Sequence, residues 1–330
     1  MSRRRQILIA LGSGALIAPY ASLAQQNNKI RRIGFLVAAA RPPSIDAHYM
    51  GAFVRGLRDL GYVEGKNFAI EWRFADGNYQ RLPVLAAELV SMNVDVLMTG
   101  GTAANSALQK ATQKIPIVNA TMSDPVGNGF AKSLTHPGGN ITGLALATTD
   151  MSPKHVELLR LIVPKLTSLG LLVNLGNSAH PAVAKSITTN AQRLGIKVRI
   201  LDARNADGLT RNFSIMKQER TEAVIAVVDA FFISQRREIA ELALKNNLPS
   251  MFSAQEHVEA GGLMSYGQNL ADHYRRAAAY VDKIFKGAKP GNLPIEQPAV
   301  FSLTINSKTA KALGLAIPQE LLLRADKVIE

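Results

Sequence analysis

One supersecondary pattern occurs twice in this 330-residue chain, and the repetition restricts the fold more than any other feature. In the first copy, apolar and β-branched runs at 33–37, 67–74, 94–98, 115–120 and 140–146 read as strands. The segments at 45–60, 79–92, 102–112 and 130–134 read as helices. In the second copy, strands fall at 169–174, 196–201, 223–228 and 248–252, and helices at 153–163, 181–194, 206–219 and 231–245. Ile33-Gly34-Phe35-Leu36-Val37 lies over Leu169-Gly170-Leu171-Leu172-Val173, and Leu60-Gly61 over Leu194-Gly195. Ile115-Pro116-Ile117-Val118 lies over Leu248-Pro249-Ser250-Met251. The offset stays near ~130 residues, too long for a solenoid and right for a duplicated half-molecule. Strands alternating with helices give parallel sheets covered on both faces, so the expected class is α/β with two Rossmann-like lobes.

The order changes after 252. A glycine turn at Gly261-Gly262 leads into a strand at 263–266, followed by a helix at 270–285. A Pro/Gly-rich connector spans 287–298, then a strand at 301–305 and a helix at 307–313 stopped by Gly314. This tail reads as the chain crossing back between the lobes, with three interlobe strands near 145–152, 254–264 and 288–300. The first lobe is then 31–147 with 265–292, and the second 150–260 with 300–330. Ligands of open parallel sheets sit beyond the carboxyl ends of the strands, so two lobes facing each other there share one crevice.

Residues 1–24 read as a secretory signal: Arg3, Arg4 and Arg5, an apolar run at 7–17, then small residues at Ser22-Leu23-Ala24. The arginines also loosely fit a twin-arginine route. This segment carries three of the positive charges and no acid, so the formal +13 becomes +10 after its removal. The remaining basic residues, such as Lys110 and Lys114 or Arg275 and Arg276, are scattered at helical spacing. They read as solvated faces, so no nucleic-acid partner is expected. There are no cysteines, which excludes thiol catalysis, disulfides and thiolate-held metals. The six histidines show no metal-ligand spacing, and no Walker loop or serine elbow is present. The chain is therefore read as a non-enzyme with no catalytic residue, metal or cofactor.

The stretch 94–105, VDVLMTGGTAAN, reads as a strand, a glycine turn and the first turn of a helix. Gly100 and Gly101 let the backbone bend sharply, and Thr99 or Thr102 is placed to cap the helix. Free N–H groups and the positive end of the helix dipole favour an anionic group there, such as a carboxylate.

Further segments carry a family resemblance. They include Ser123-Asp124-Pro125-Val126-Gly127, Pro137-Gly138-Gly139-Asn140-Ile141-Thr142-Gly143, and Ala260-Gly261-Gly262-Leu263-Met264-Ser265-Tyr266-Gly267. Tyr274-Arg275-Arg276-Ala277-Ala278, Lys286-Gly287-Ala288-Lys289-Pro290 and Glu296-Gln297-Pro298 continue it. The chain resembles periplasmic substrate-binding proteins of type I fold. More narrowly it resembles the ABC transporter substrate-binding family, which includes tryptophan- and tyrosine-type amino-acid binders. The resemblance implies a periplasmic monomer that closes over a small molecule and hands it to an ABC permease and its ATPase. A ligand-sensing receptor subunit and an exported α/β enzyme are the alternatives.

An amphoteric ligand needs a carboxylate site and an ammonium site. Thr99, Gly100, Gly101 and Thr102 are the candidates for the first, Asp124 and Asp229 for the second, since both acids follow strands. Asn174 and Ser178 end the first strand of the second lobe and offer hydrogen bonds, and Gln255 lies at an expected crossing. Arg41 in the first loop offers a site for a dicarboxylate or an aromatic acid. Tyr49, Tyr79 and Phe231 are candidates to stack on an aromatic ligand, whereas Phe232 reads as core.

Overall fold

The computed structural model describes residues 30–330; the export segment expected at 1–24 lies outside the described residues. The first half of the chain gives β1 (Arg31–Val37), α1 (Gly51–Asp59), β2 (Phe68–Phe74), α2 (Leu82–Ser91), β3 (Val96–Thr99), α3 (Thr102–Ala111), β4 (Ile117–Ser123) and β5 (Ile141–Leu146). Then follow α4 (Thr148–Ile162), β6 (Ser168–Val173), α5 (His180–Arg193), β7 (Lys197–Asp202), α6 (Ala206–Gln218), β8 (Ala223–Ala226), α7 (Ala230–Ser234), α8 (Arg236–Lys245) and β9 (Ser250–Phe252). The remainder is α9 (Gln255–Glu259), β10 (Met264–Gly267), α10 (Leu270–Phe285), β11 (Ser302–Asn306), α11 (Ser307–Ala312), α12 (Gln319–Arg324) and β12 (Lys327–Ile329).

The duplication seen in the sequence is a duplication of topology. The first sheet runs β2-β1-β3-β4-β5, and the second contains β7-β6-β8-β9-β10 in the same relative order, all parallel. The second sheet is then extended by β11, antiparallel to β10, and by β12. Strands β3, β4, β5, β8 and β9 are buried along their whole length, as parallel strands covered on both faces must be. In the first lobe, Phe35, Phe53 and Tyr274 lie in the apolar layer on one face of the sheet, and Leu36, Leu89 and Leu108 in that on the other. One continuous core around Leu171, Phe213, Ile225 and Phe252 holds the second lobe.

The helix that follows the fifth strand changes lobe in both halves. Helix α4 leaves β5 to pack on α5, β9 and β10, and α10 leaves β10 to pack on α1, β4 and β5. This places the second crossing later than expected. The segment 254–264 holds α9 and stays on the second lobe, and 265–267 belongs to β10, so the chain crosses at 268–269. The third crossing falls at the end of the expected span. Glu296 still pairs with the first lobe, through Ala145 N–H to Glu296 O at 2.7 Å and Glu296 N–H to Gly143 O at 3.0 Å. Buried Gln268 joins all three crossings: its Oε1 accepts from Ala147 N at 2.9 Å and its Nε2 donates to Pro298 O.

Several local expectations change. No regular helix forms at 130–134, α1 begins only at Gly51, the helix expected over 231–245 is broken at Gln235, and α12 and β12 were not anticipated. Helix α4 starts at Thr148 and keeps Pro153 inside it. Proline cannot donate to the carbonyl four residues earlier. Ser186 Oγ supplies that bond instead, donating to Thr149 O at 3.2 Å.

Burial makes the fold acid-sensitive. His155 and His257 are pushed down to about 4 from 6.5, and His180 and His273 are also lowered, chiefly because the interior disfavours the charged ring. The unfolded chain takes up these protons near 6.5 while the folded protein refuses them until about 4, so stability is lost as pH falls through that window. Glu256 opposes this: burial raises it to about 7 from 4.5, so its contribution is lost as pH rises between those values. The histidines outnumber it. Thermal denaturation is expected to give a lower Tm at pH 5 than at pH 7, and His257→Phe, which keeps the stack on Phe252, is expected to reduce the difference.

Candidate functional site

The carboxyl ends of both sheets meet at a cavity of about 60 Å³ between the lobes. Its first-lobe wall comes from Ala38 after β1, Gly100 to Ala104 after β3, Thr121 and Ser123 at the end of β4, and Tyr274 on α10. Its second-lobe wall comes from Asn177 after β6 and from Val228, Asp229, Ala230 and Ile233 after β8. Tyr49, Tyr79, Leu146 and Leu270 complete it. Interlobe grooves of about 590 and 650 Å³ flank the cavity, one bordered by Tyr79 and Asn174, the other by Tyr49 and Glu256.

The first-lobe wall is a helix start held open by its neighbours. Gly101 adopts φ +82°, a left-handed conformation that costs a side-chain-bearing residue energy. Its N–H donates to Thr121 Oγ1 at 2.9 Å, and its carbonyl accepts from Asn119 Nδ2 at 3.0 Å. No side chain caps α3, so the amides of its first turn face the cavity with the positive end of the helix. Tyr274, hydrogen-bonded to Thr121, closes the wall, and burial holds its phenol well above the usual value.

The second-lobe wall is an aspartate cradle. Asp229 is 3% exposed and caps α7, its Oδ1 accepting from Phe231 N at 3.0 Å and Asn174 Nδ2 at 3.2 Å. Its Oδ2 accepts from Asn177 Nδ2 at 3.0 Å and from Tyr79 Oη, across the cleft, at 2.8 Å. His180 Nε2 stands 3.5 Å from Oδ2. That imidazole is neutral: Nδ1 accepts from Asn174 N at 2.8 Å and Nε2 is 3.2 Å from Val228 O, which fixes the proton on Nε2. Burial lowers its pKa despite the nearby carboxylate. Among the described residues no lysine or arginine lines the cavity, so Asp229 is its one charged group.

Of the residues singled out in the sequence, the structure brings Gly100, Gly101, Thr102 and Asp229 together around the cavity, with Tyr49 and Tyr79. The others lie elsewhere. Thr99 is fully buried and its hydroxyl donates to Leu36 O at 2.8 Å, tying β3 to β1. The Thr102 hydroxyl accepts from Ser123 N at 3.3 Å, so that position offers the cavity its backbone more than its side chain. Asp124 is exposed at φ +41°, accepts from Gly127 N at 2.8 Å in its own turn, and borders a separate groove with Thr148 and Asp150 instead of the central cavity. Arg41 is exposed, with its guanidinium over the Phe74 ring at 5.5 Å. Asn174 orients Asp229 from the adjoining groove, and Gln255 borders the groove on the other side. Ser178 Oγ donates to Asn128 Oδ1 across the lobes at 2.9 Å. Phe231 packs toward Gly77 at the groove, and Phe232 is fully buried. Sequence reasoning missed Thr121, Ser123, Asn177 and Tyr274 as cavity residues. The signal for the first two was their place at the end of β4; Tyr274 reaches the cavity only because α10 changes lobe.

No group of histidine and acidic side chains able to hold a metal ion exists among the described residues, and no helix there is long and apolar enough to cross a membrane. Comparison with known proteins agrees with the geometry. The family described as ABC transporter substrate binding protein matches residues 36–329. A tyrosine-binding protein of Clostridioides difficile is 25% identical over 275 residues, covering 83% of this chain and 78% of its own. The structure of an ABC domain in complex with L-Trp from Streptococcus pneumonia superposes with a TM-score of 0.82 at 24% identity, covering 91% of this chain and 100% of that one. The ligand-free, open structure of a substrate binding protein with adhesive properties from Clostridium difficile gives 0.62 at 23% identity, covering 91% and 99%.

Proposed function

Because the chain belongs to the ABC transporter substrate binding protein family, we propose that it is the periplasmic solute-binding component of an importer for an amino acid or related carboxylate. The observation that carries this reading is the facing of two unlike poles across one cavity. On one lobe are the uncapped amides of α3; on the other is the buried carboxylate of Asp229. A ligand carboxylate at the first and an ammonium at the second neutralise both poles, and only a closed cleft lets one small molecule reach both. Tyr49, Tyr274, Leu146, Ile233 and Leu270 supply an apolar surround for a side chain, aromatic ones included. The tyrosine-binding relative and the L-Trp complex support the same ligand class. Export through the segment at 1–24 places the protein outside the cytoplasm, where it delivers its ligand as a monomer to a permease and ATPase.

A thermal-shift screen against the L-amino acids and aromatic acids is expected to raise Tm for a narrow group of them, with compaction seen by small-angle scattering. Gly101→Val is expected to weaken binding of the best hit at least tenfold, because it moves the amides of the first turn of α3. Unchanged affinity in that variant places the carboxylate elsewhere. A screen with no hit and no compaction overturns the reading.

A further inference from the structure

We propose that Tyr79 is a built-in latch that stands in for the ligand's ammonium, holding the lobes closed through Asp229 and competing with the ligand for that carboxylate. Two observations carry this. The first is the saturation of Asp229. A carboxylate offers about four acceptor sites, and here all four are filled by Phe231 N, Asn174, Asn177 and Tyr79. The first three donors belong to the second lobe, as Asp229 does. Tyr79 alone comes from the first lobe, so its bond is the one that breaks when the lobes part. A ligand ammonium is a charged donor, and Tyr79 Oη is the donor that leaves most readily to admit it.

The second observation is the size of the space enclosed in the latched arrangement. The cavity holds about 60 Å³, less than half of the ~150 Å³ that accommodates a benzene ring. An aromatic amino acid therefore enters and settles only after the latch lets go. The cross-cleft bond of Ser178 to Asn128 is exposed and adds little to the closed form. The chemistry of the latch also holds: burial and the neighbouring Asp229 charge keep the Tyr79 phenol well above its ordinary pKa, so it remains a donor across the physiological range. The latched form is thus a state that competes with binding, and the apparent affinity is reduced by the fraction of molecules it holds.

The chain has no cysteines, so Val84→Cys on α2 and Arg211→Cys on α6, both exposed and on opposite lobes, accept a pair of spin labels. Distances are measured on labelled protein unfolded and refolded in ligand-free buffer. The Tyr79 protein is expected to show mainly the short distance. Tyr79→Phe keeps the ring and is expected to raise the open-to-closed ratio about tenfold, the weight of one hydrogen bond to a charged group. Asp229→Asn keeps the helix cap and is expected to open the lobes as well, with Tyr79→Phe adding little on top of it. Wild-type distances in Tyr79→Phe, or full additivity with Asp229→Asn, overturn the latch.

The competition with an ammonium rests on the amino-acid reading and is tested with L-tyrosine and L-tryptophan. Affinity for the one that binds is expected to rise severalfold in Tyr79→Phe, at most by the factor the open fraction gains. Unchanged affinity in a variant that has opened overturns the competition. If neither amino acid binds either protein, the amino-acid reading fails, and the distances measured without ligand still decide the latch.

Discussion

Asp229→Ala is expected to abolish ligand binding and to lower the stability of the protein by about 3 kcal/mol, the combined scale of a lost helix cap and of buried donors left unpaired. The side chain accepts from Phe231 N, Asn174, Asn177 and Tyr79, and at 3% exposure water does not replace it for all of them. Asn174 and Asn177 are themselves buried, so their amides have nowhere else to turn. Asp229→Asn separates the two effects. An asparagine still caps α7 through its Oδ1, so part of the stability is expected to return, while its Nδ2 meets the Asn177 amide as a second donor; the charge that attracts an ammonium does not return. Urea denaturation measures the first effect and a thermal-shift titration with the best ligand of the screen measures the second. Wild-type affinity in Asp229→Asn removes the ammonium role; a wild-type midpoint in Asp229→Ala removes the cradle.

Gly143→Ala is expected to cost about 4 kcal/mol or to prevent folding, since it combines backbone strain with overpacking. Gly143 sits in β5 at φ +131°, and a Cβ there meets Asn119 O at 2.0 Å and Asn119 N at 2.8 Å. The obstacle is the backbone of β4, where the register with β5 shifts between Asn119 and Met122. The damage reaches the site. Fully buried Asn119 donates to Gly101 O at 3.0 Å and accepts from Thr121 N at 2.8 Å, so moving its backbone moves the start of α3. Gly139→Ala is the control: nothing lies within 4 Å of its Cβ, and an effect within about 0.5 kcal/mol is expected. Equal midpoints for the two variants in thermal denaturation contradict the argument.

How much of the site was legible depended on how local the deciding interaction was. Gly100, Gly101 and Thr102 were found because a strand, two glycines and a helix start are consecutive in the chain. Asp229 was found because an acid following a strand in a parallel sheet points toward the crevice. Asp124 met the same criterion, yet it caps its own turn. The criterion places a residue at a strand end and says nothing about which nearby amide takes its carboxylate. Thr99 was displaced by the hydroxyl's bond to Leu36 on a neighbouring strand, a partner 63 residues away. Tyr274 and Gln268 were invisible as site and hinge residues, since their roles exist only once α10 and the three crossings are in place.

By itself the sequence determined the two halves. Apolar runs of strand length alternating with amphipathic segments of helix length dictate parallel sheets, and the offset of near ~130 residues dictates that there are two of them. Tertiary structure alone decided where the chain changes lobe and what meets in the gap. Strands β5 and β10 are equivalent fifth strands, and the helix after each packs on the opposite sheet. Helical periodicity records that a face is buried but not which sheet buries it. For the same reason Tyr79 and Asp229, 150 residues apart, become partners at 2.8 Å only when two separately formed lobes are brought face to face.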